Sequence, residues 1–264
     1  MDLTIGTKIS HYKILEKIAE GGMGTVYKAE DTKLKRTVAL KFISREAVQD
    51  HQTRTRFIQE AQAAACLNHP NINTVYEIEE ADGRIFIAME FIEGKNLKQT
   101  LRSDPMTLSE NLDIAIQIAC GLEEAHEQGF VHRDIKSSNI MITPKGQVKI
   151  MDFGLVKMLH GTQITRTAMV MGTVAYMSPE QAQGKAVDRR SDIWSLGVIL
   201  YEMFGGQLPF QGDTEASYLY SIVHESPAPL KEIKPDVPVE IQKVITRALK
   251  KNPDDRHDSA SEMA

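Results

Sequence analysis

His132-Arg133-Asp134-Ile135-Lys136-Ser137-Ser138-Asn139, followed by Asp152-Phe153-Gly154, decides how this chain is read. The two runs place three side chains of fixed chemistry close together in sequence. Asp134 is a candidate proton acceptor for a hydroxyl nucleophile. Asn139 and Asp152 offer hard oxygen atoms, the ligands that Mg²⁺ prefers. Either run alone arises by chance, whereas both in this order rarely do.

The 264 residues suffice for one large domain or for two lobes sharing a cleft. Apolar residues make up 42% and charged residues 25%, which places the chain among globular folds and not among disordered ones. The net charge of −5 argues against broad nucleic-acid binding, which needs phosphate neutralisation. The basic cluster Lys33-Leu34-Lys35-Arg36 reads as solvated loop charge. Cys66 and Cys120 lie in apolar helical patterns, so a disulfide framework is not expected and a reducing cytosol fits. Met1-Asp2-Leu3-Thr4 lacks the plan of a signal peptide. No apolar run approaches the ~18 residues of a membrane span; the longest, Ile193 to Phe204, is broken by Ser195, Gly197 and Glu202. A cytoplasmic location is expected, either alone or as the cytosolic part of a longer, membrane-anchored protein.

Outward from the opening motif, the pattern divides. Tyr12–Ile18, Thr25–Ala29 and Val38–Ile43 are β-rich runs between glycine-bearing or charged turns. Arg54 to Leu67 reads as a helix with Phe57, Ala61, Ala64 and Ala65 on one face, stopped by Asn68-His69-Pro70-Asn71. Strands Thr74–Ile78 and Arg84–Met89 follow across Ala81-Asp82-Gly83. Beyond Gly94 the pattern is helical. Thr107-Leu108-Ser109-Glu110 is a capping box, and the helix it opens is expected to turn Leu108, Leu112, Ala115, Ile116, Ala119 and Leu122 toward a core. Gly121 inside it predicts close packing. Ile193 to Phe204 is apolar nearly all round and predicts a buried central helix, with further helices near Thr214–Val223 and Val239–Leu249.

With these motifs in order, the chain resembles the protein kinase family, most closely the bacterial eukaryotic-like (Hanks-type) Ser/Thr kinases. Gly21-Gly22-Met23-Gly24, Asn68-His69-Pro70-Asn71-Ile72 and Met177-Ser178-Pro179-Glu180-Gln181-Ala182 carry the resemblance beside the opening motif. It implies an α+β fold of two lobes within one kinase domain over 1–264. A small β-rich N-lobe with one main helix spans about 12–90, a hinge about 91–95, and a larger helical C-lobe about 96–264. ATP would sit between the lobes.

The resemblance assigns Ala19, Glu20, Gly21, Gly22, Met23, Gly24, Thr25 and Val26 to a phosphate-covering loop, with Ile18 before it also among the nucleotide-binding residues. Glycine lets backbone N–H groups approach phosphate oxygens. Ala19 stands where the family's first glycine stands; its methyl narrows the loop's freedom without abolishing binding. Val38-Ala39-Leu40-Lys41 matches the family's V-A-I-K strand, which implies that Ala39 lines the adenine pocket. Lys41 then contacts the α- and β-phosphates and is held by Glu60 from the following helix. Met89-Glu90-Phe91-Ile92 resembles the hinge, with Met89 at the back of the pocket and the backbone of Glu90 and Ile92 on the adenine edge; Met141 would line the pocket from below.

In the catalytic loop, Asp134 orients or accepts the proton of the substrate hydroxyl, and Lys136 resembles the lysine that steadies the γ-phosphate in Ser/Thr-type kinases. Asn139 and Asp152 would hold Mg²⁺. His132 and Phe153 resemble packing residues of the spine that joins the lobes. Arg133 is implied to pair with a phosphate on the segment 152–180, where Thr165 and Thr167 resemble an autophosphorylated pair and Thr173 a residue favouring Ser/Thr acceptors. Glu180 is expected to form a buried ion pair with Arg256, and Asp192 to hydrogen-bond the catalytic-loop backbone. The implied partners are protein substrates and ATP, with a homodimer as a route to autophosphorylation. The chain ends at Ala264, where the family's last helix continues, which implies an excised domain of a longer protein. The rival reading is a pseudokinase, a scaffold that binds nucleotide without transfer; Ala19 alone speaks for it.

Overall fold

Alternation along the first strands builds a sheet with two working faces. The computed structural model describes residues 3–21, 24–44, 54–55, 58, 61–62, 65–103, 105–153 and 174–264. Strands β1 (Lys8–Ile9), β2 (Tyr12–Gly21), β3 (Gly24–Asp31), β4 (Arg36–Ile43), β5 (Val75–Ala81) and β6 (Arg84–Glu90) form an antiparallel sheet in the order β1-β2-β3-β4-β6-β5. On β4, Val38, Leu40 and Phe42 point to one face, where they pack with Tyr12, Ile14, Tyr27 and Phe86. Ala39 and Ile43 point to the other, with Ile85, Ile87, Met89 and Ala61. Successive strand side chains face opposite ways, so Lys41 shares the face of Ala39 and Ile43 and is carried toward the interior of the molecule. Residues 54–55, 58 and 61–62 are helical. Within the face expected for that segment, Ala61 is buried and Ala65 is exposed beyond the helix. Phe57 and Ala64 lie outside the described residues.

The rest is mainly helical: α1 (Leu97–Ser103), α2 (Leu108–Glu127), α3 (Pro179–Ala182), α4 (Arg189–Gly205), α5 (Glu215–His224), α6 (Leu230–Ile233) and α7 (Val239–Ala248). A small sheet of β7 (Lys95–Asn96), β8 (Ile140–Ile142) and β9 (Val148–Ile150) lies beside them. The architecture is thus the expected α+β arrangement, a six-stranded β-lobe and a helical lobe. The capping box is formed as read: Thr107 Oγ1 accepts from Glu110 N, and Glu110 Oε2 accepts from Thr107 N.

The expected inward face of α2 needs correction. Ala119 and Leu122 are buried as expected, but Leu108, Leu112 and Ile116 are exposed, and Ile114, Ile118 and Ala125 are buried in their place. The helix carries apolar residues on more than half its circumference, and only one stripe can meet the core. Gly121 selects it: a Cβ there would stand 2.9 Å from Ile150 Cδ1 and 3.2 Å from Asn71 Cβ, so the glycine face is where β9 comes closest.

Helix α4 is buried over nearly its whole length and forms the centre of the helical lobe. Asp192 and Ser195 are among its paired polar members, whereas the buried Trp194 Nε1 has no hydrogen-bond partner among the described residues. Asp192, fully buried, faces the catalytic loop, and Ser195 Oγ donates to Tyr176 O. Arg256 reaches Glu180 with Nη1 and Nη2, each at 2.8 Å, and both residues are buried. Gln181, on the same short helix as Glu180, donates from Nε2 to Arg133 O at 2.8 Å. The ion pair therefore fixes a helix that in turn holds the catalytic loop.

Candidate active site

Lys41 and Asp152 meet in the space between the two lobes. Lys41 Nζ lies 2.7 Å from Asp152 Oδ1. Burial pushes the Asp152 carboxyl up, but the charge and hydrogen bond of Lys41, with His132 and Lys136 behind it, outweigh that and hold it below its ordinary value. Asp152 has φ +61°, in the left-handed region that a side chain enters only when its surroundings hold it there. Glu60, the expected carboxylate partner of Lys41, lies outside the described residues. Among those described, Asp152 fills that role, a pairing the sequence did not announce.

The catalytic loop is held from behind by one carboxylate. Asp192 Oδ2 accepts from His132 N at 2.7 Å and Oδ1 from Arg133 N at 2.8 Å, while His126 Nε2 lies 2.9 Å from Oδ2. Arg133 takes φ +68°, a second left-handed residue in the same site. His132 Nε2 lies 2.8 Å from Met151 O, and its ring centroid is 4.6 Å from that of Phe153, so both residues have the packing role expected of them.

In front of this support, Asp134, Lys136 and Asn139 form a knot. Asp134 Oδ2 accepts from Lys136 Nζ at 2.7 Å and from Asn139 Nδ2 at 3.2 Å; Asn139 Nδ2 also donates to Asp134 O at 3.0 Å. These bonds use the amide nitrogen of Asn139 and leave its Oδ1 as the atom suited to a cation. Met151 N donates to Asn139 O at 2.8 Å, which ties the knot to the residue preceding Asp152.

The hairpin β2–β3 carries the glycine-rich turn, with Gly21 paired to Gly24 and Ala19 to Val26. Gly24 has φ +138°, and a Cβ there would lie 1.8 Å from Phe42 O, so only glycine fits. Ile18, Ala19 and Glu20 are exposed, Thr25 and Val26 half-buried, and Val26 lies opposite Lys41 in register. Ala39 and Met89 are paired and buried, Ile92 is buried, and Met141 on β8 is half-buried. Gly22, Met23, Thr165, Thr167 and Thr173 lie outside the described residues.

Three contributors escaped the sequence reading. Lys149, on β9, donates from Nζ to Glu90 Oε2 at 2.8 Å and to Ile72 O at 3.4 Å, joining the end of β6 to the strand that leads to Asp152. A lysine inside Val148-Lys149-Ile150 was a signal of the same kind as Lys41. Tyr176 joins Ser137 Oγ at 2.7 Å and donates to Glu202 Oε2 at 2.5 Å; burial and Glu202 push its pKa well up, so it stays a phenol. Asn73 is buried beside Asp152 and left no trace in any motif.

A family model described as "Protein kinase domain" matches residues 12–264. The chain belongs to the protein kinase family. This kinase domain is 41% identical over 262 residues to a probable serine/threonine-protein kinase of Clostridium acetobutylicum, covering 98% of this chain and 40% of that protein. It is 39% identical to serine/threonine-protein kinase PrkC of Bacillus subtilis, over 99% of this chain and 41% of that one. Serine/threonine-protein kinase PknB of Mycobacterium leprae is 40% identical, over 96% and 42%. The domain thus spans about two fifths of the length of these relatives. Among solved structures, the Mycobacterium tuberculosis PknI kinase domain superposes with TM-score 0.78 at 27% identity, covering 99% of this chain and 97% of the other. Kinases of this family use ATP and Mg²⁺ in general. No helix among the described residues is long and apolar enough to cross a membrane.

Proposed function

We propose that this domain transfers the γ-phosphoryl group of ATP to serine or threonine hydroxyls of proteins. One observation carries the reading: the Lys41–Asp152 pair and the Asp134–Lys136–Asn139 knot are joined through the Met151–Asn139 backbone bond. The names of the relatives support the acceptor class. The lobes are read as about 12–90 and 96–264, with the hinge at 91–95.

The residues fit Mg²⁺. Asp152, kept ionised by Lys41, and Asn139 offer hard oxygens on two cross-linked segments. When bound, the ion neutralises charge on the nucleotide phosphates. Asp134 takes the proton of the attacking hydroxyl, and Lys136 supplies positive charge beside it. Lys41 offers its ammonium from a rigid central strand, which lowers the entropy lost on gripping a phosphate. Gly24 keeps the loop backbone close to its neighbour strand and accessible to anions. Met89 closes the back of the nucleotide pocket. Arg133, whose Nε has no partner among the described residues, would receive phosphate on Thr165 or Thr167. Autophosphorylation between two copies and a cytosolic place within a longer protein complete the reading.

Labelled ATP, Mg²⁺ and a generic basic protein test it. Label on protein, lost in Asp152→Asn, supports transfer. Bound nucleotide without label on any protein supports the scaffold reading, and label only on small metabolites overturns the protein acceptor. Thr165→Ala with Thr167→Ala is expected to remove most self-labelling by intact mass.

A further inference from the structure

Asp152 and Phe153 border a small cavity of about 20 Å³. Its walls are mostly apolar side chains, among them Ile72, Val75, Ile87 and Met89, with two polar exceptions, Asn73 and Asp152. Asn73 is only 7% exposed. Its backbone N donates to Ile150 O at 2.9 Å, which roots it beside the strand that leads to Asp152. Its Oδ1 is shut off from solvent and has no hydrogen-bond partner among the described residues.

An amide oxygen buried without a partner keeps its desolvation cost uncompensated. Proteins relieve such atoms with ordered water where the space is polar and holds at least ~10–15 Å³. This cavity holds that volume, and its two polar groups, Asn73 and Asp152, are the minimum of two partners that a buried water needs; Asp152 is the carboxylate that Lys41 engages through Oδ1. We propose that Asn73 is a positioning residue for Asp152: it holds an ordered water in the cavity, and that water hydrogen-bonds the Asp152 carboxylate from behind. Asp152 is then fixed on one side by Lys41 and on the other by Asn73 through solvent. The inference rests on Asp152 being a Mg²⁺ ligand, whose orientation such outer partners set.

The test uses this chain with a non-hydrolysable ATP analogue. A high-resolution crystal structure is expected to show a solvent peak within hydrogen-bonding distance of both Asn73 Oδ1 and Asp152. Mg²⁺ titration of analogue binding, followed by fluorescence of a labelled nucleotide, is expected to shift about tenfold to weaker Mg²⁺ in Asn73→Val. Thermal unfolding of that variant is expected to stay level or rise, and Asn73→Thr, which keeps a hydroxyl, to recover most of the Mg²⁺ affinity. A dry cavity overturns the proposal, as does a solvent peak with unchanged Mg²⁺ dependence in Asn73→Val. If Asn73→Val does not fold, the wild-type density and Asn73→Thr decide. Failure of the wild type to bind Mg²⁺ and analogue together counts against the kinase reading itself, while the solvent peak is read independently.

Discussion

Arg256 grips Glu180 with both terminal nitrogens, one on each carboxylate oxygen, and Ser191 Oγ adds a third donor at 2.5 Å. Every oxygen of this buried carboxylate is therefore satisfied. Burial pushes Glu180 up, and Arg256 more than reverses this, so its pKa is lowered. A carboxylate with a depressed folded pKa adds stability above its unfolded value and loses it as pH falls through the folded one. Arg256→Ala leaves the charge buried alone and is expected to cost about 3–5 kcal/mol. Urea unfolding at neutral pH measures this. The deficit relative to wild type is expected to shrink below the ordinary glutamate range, as Glu180 takes up a proton.

Lys41→Met removes the cation that keeps Asp152 ionised. The Asp152 pKa is then expected to rise, because burial remains and the opposing charge is gone. Phosphoryl transfer is expected to fall at least about a hundredfold, the scale on which one preorganised electrostatic group acts. The residual activity is expected to decline at a higher pH than in wild type as the medium is acidified. A pH–rate profile of the two proteins checks the direction, and circular dichroism confirms that the fold persists.

Asp192→Ala strips the partner from one buried and one part-buried backbone N–H group and from His126 at once. Each buried group left unpaired costs about 1–3 kcal/mol. The variant is expected to unfold at lower denaturant and, where still folded, to lose kcat more than nucleotide affinity, since the loop bearing Asp134 loses its anchor. Asp192→Asn, which keeps one acceptor oxygen, is expected to fall between wild type and alanine in both measurements.

Lys251 gives a test at alkaline pH. Its Nζ donates to Ile222 O at 2.6 Å and lies 4.0 Å from the Phe210 ring centroid and 4.9 Å from that of Trp194. Burial, with the nearby Arg256, lowers its pKa from 10.5 to about 8. Between those values the unfolded chain binds the extra proton, so this group makes stability rise with pH in that window. Thermal melts of wild type and Lys251→Met across that range are expected to diverge accordingly, with the shallower slope in the variant.

Local signals were enough to read much of this. The strands around Val38-Ala39-Leu40-Lys41, the capping box at Thr107 and the apolar run of α4 each announce themselves within a few residues. The opening motif and Asp152 were legible for the same reason. What escaped reading depends on contacts distant in sequence. Leu112 and Ile114 look alike as letters, and only the approach of Ile150 to Gly121 says which stripe of α2 is buried. Strands β7, β8 and β9 are too short for a period to show. Asn73 and Tyr176 matter through neighbours that the fold supplies.

The bond between Lys149 and Glu90 has a mechanical corollary. It crosses from the last strand of the β-lobe to the segment just ahead of Asp152, at the place where the chain itself passes from one lobe to the other. A bond at the edge where two bodies meet lets them swing like a book about its spine and resists their sliding past each other. A rotation about this seam is the motion the bond permits, and it would leave Glu90 almost still while the described end of the β2–β3 hairpin, at Gly21 and Gly24, travels farther.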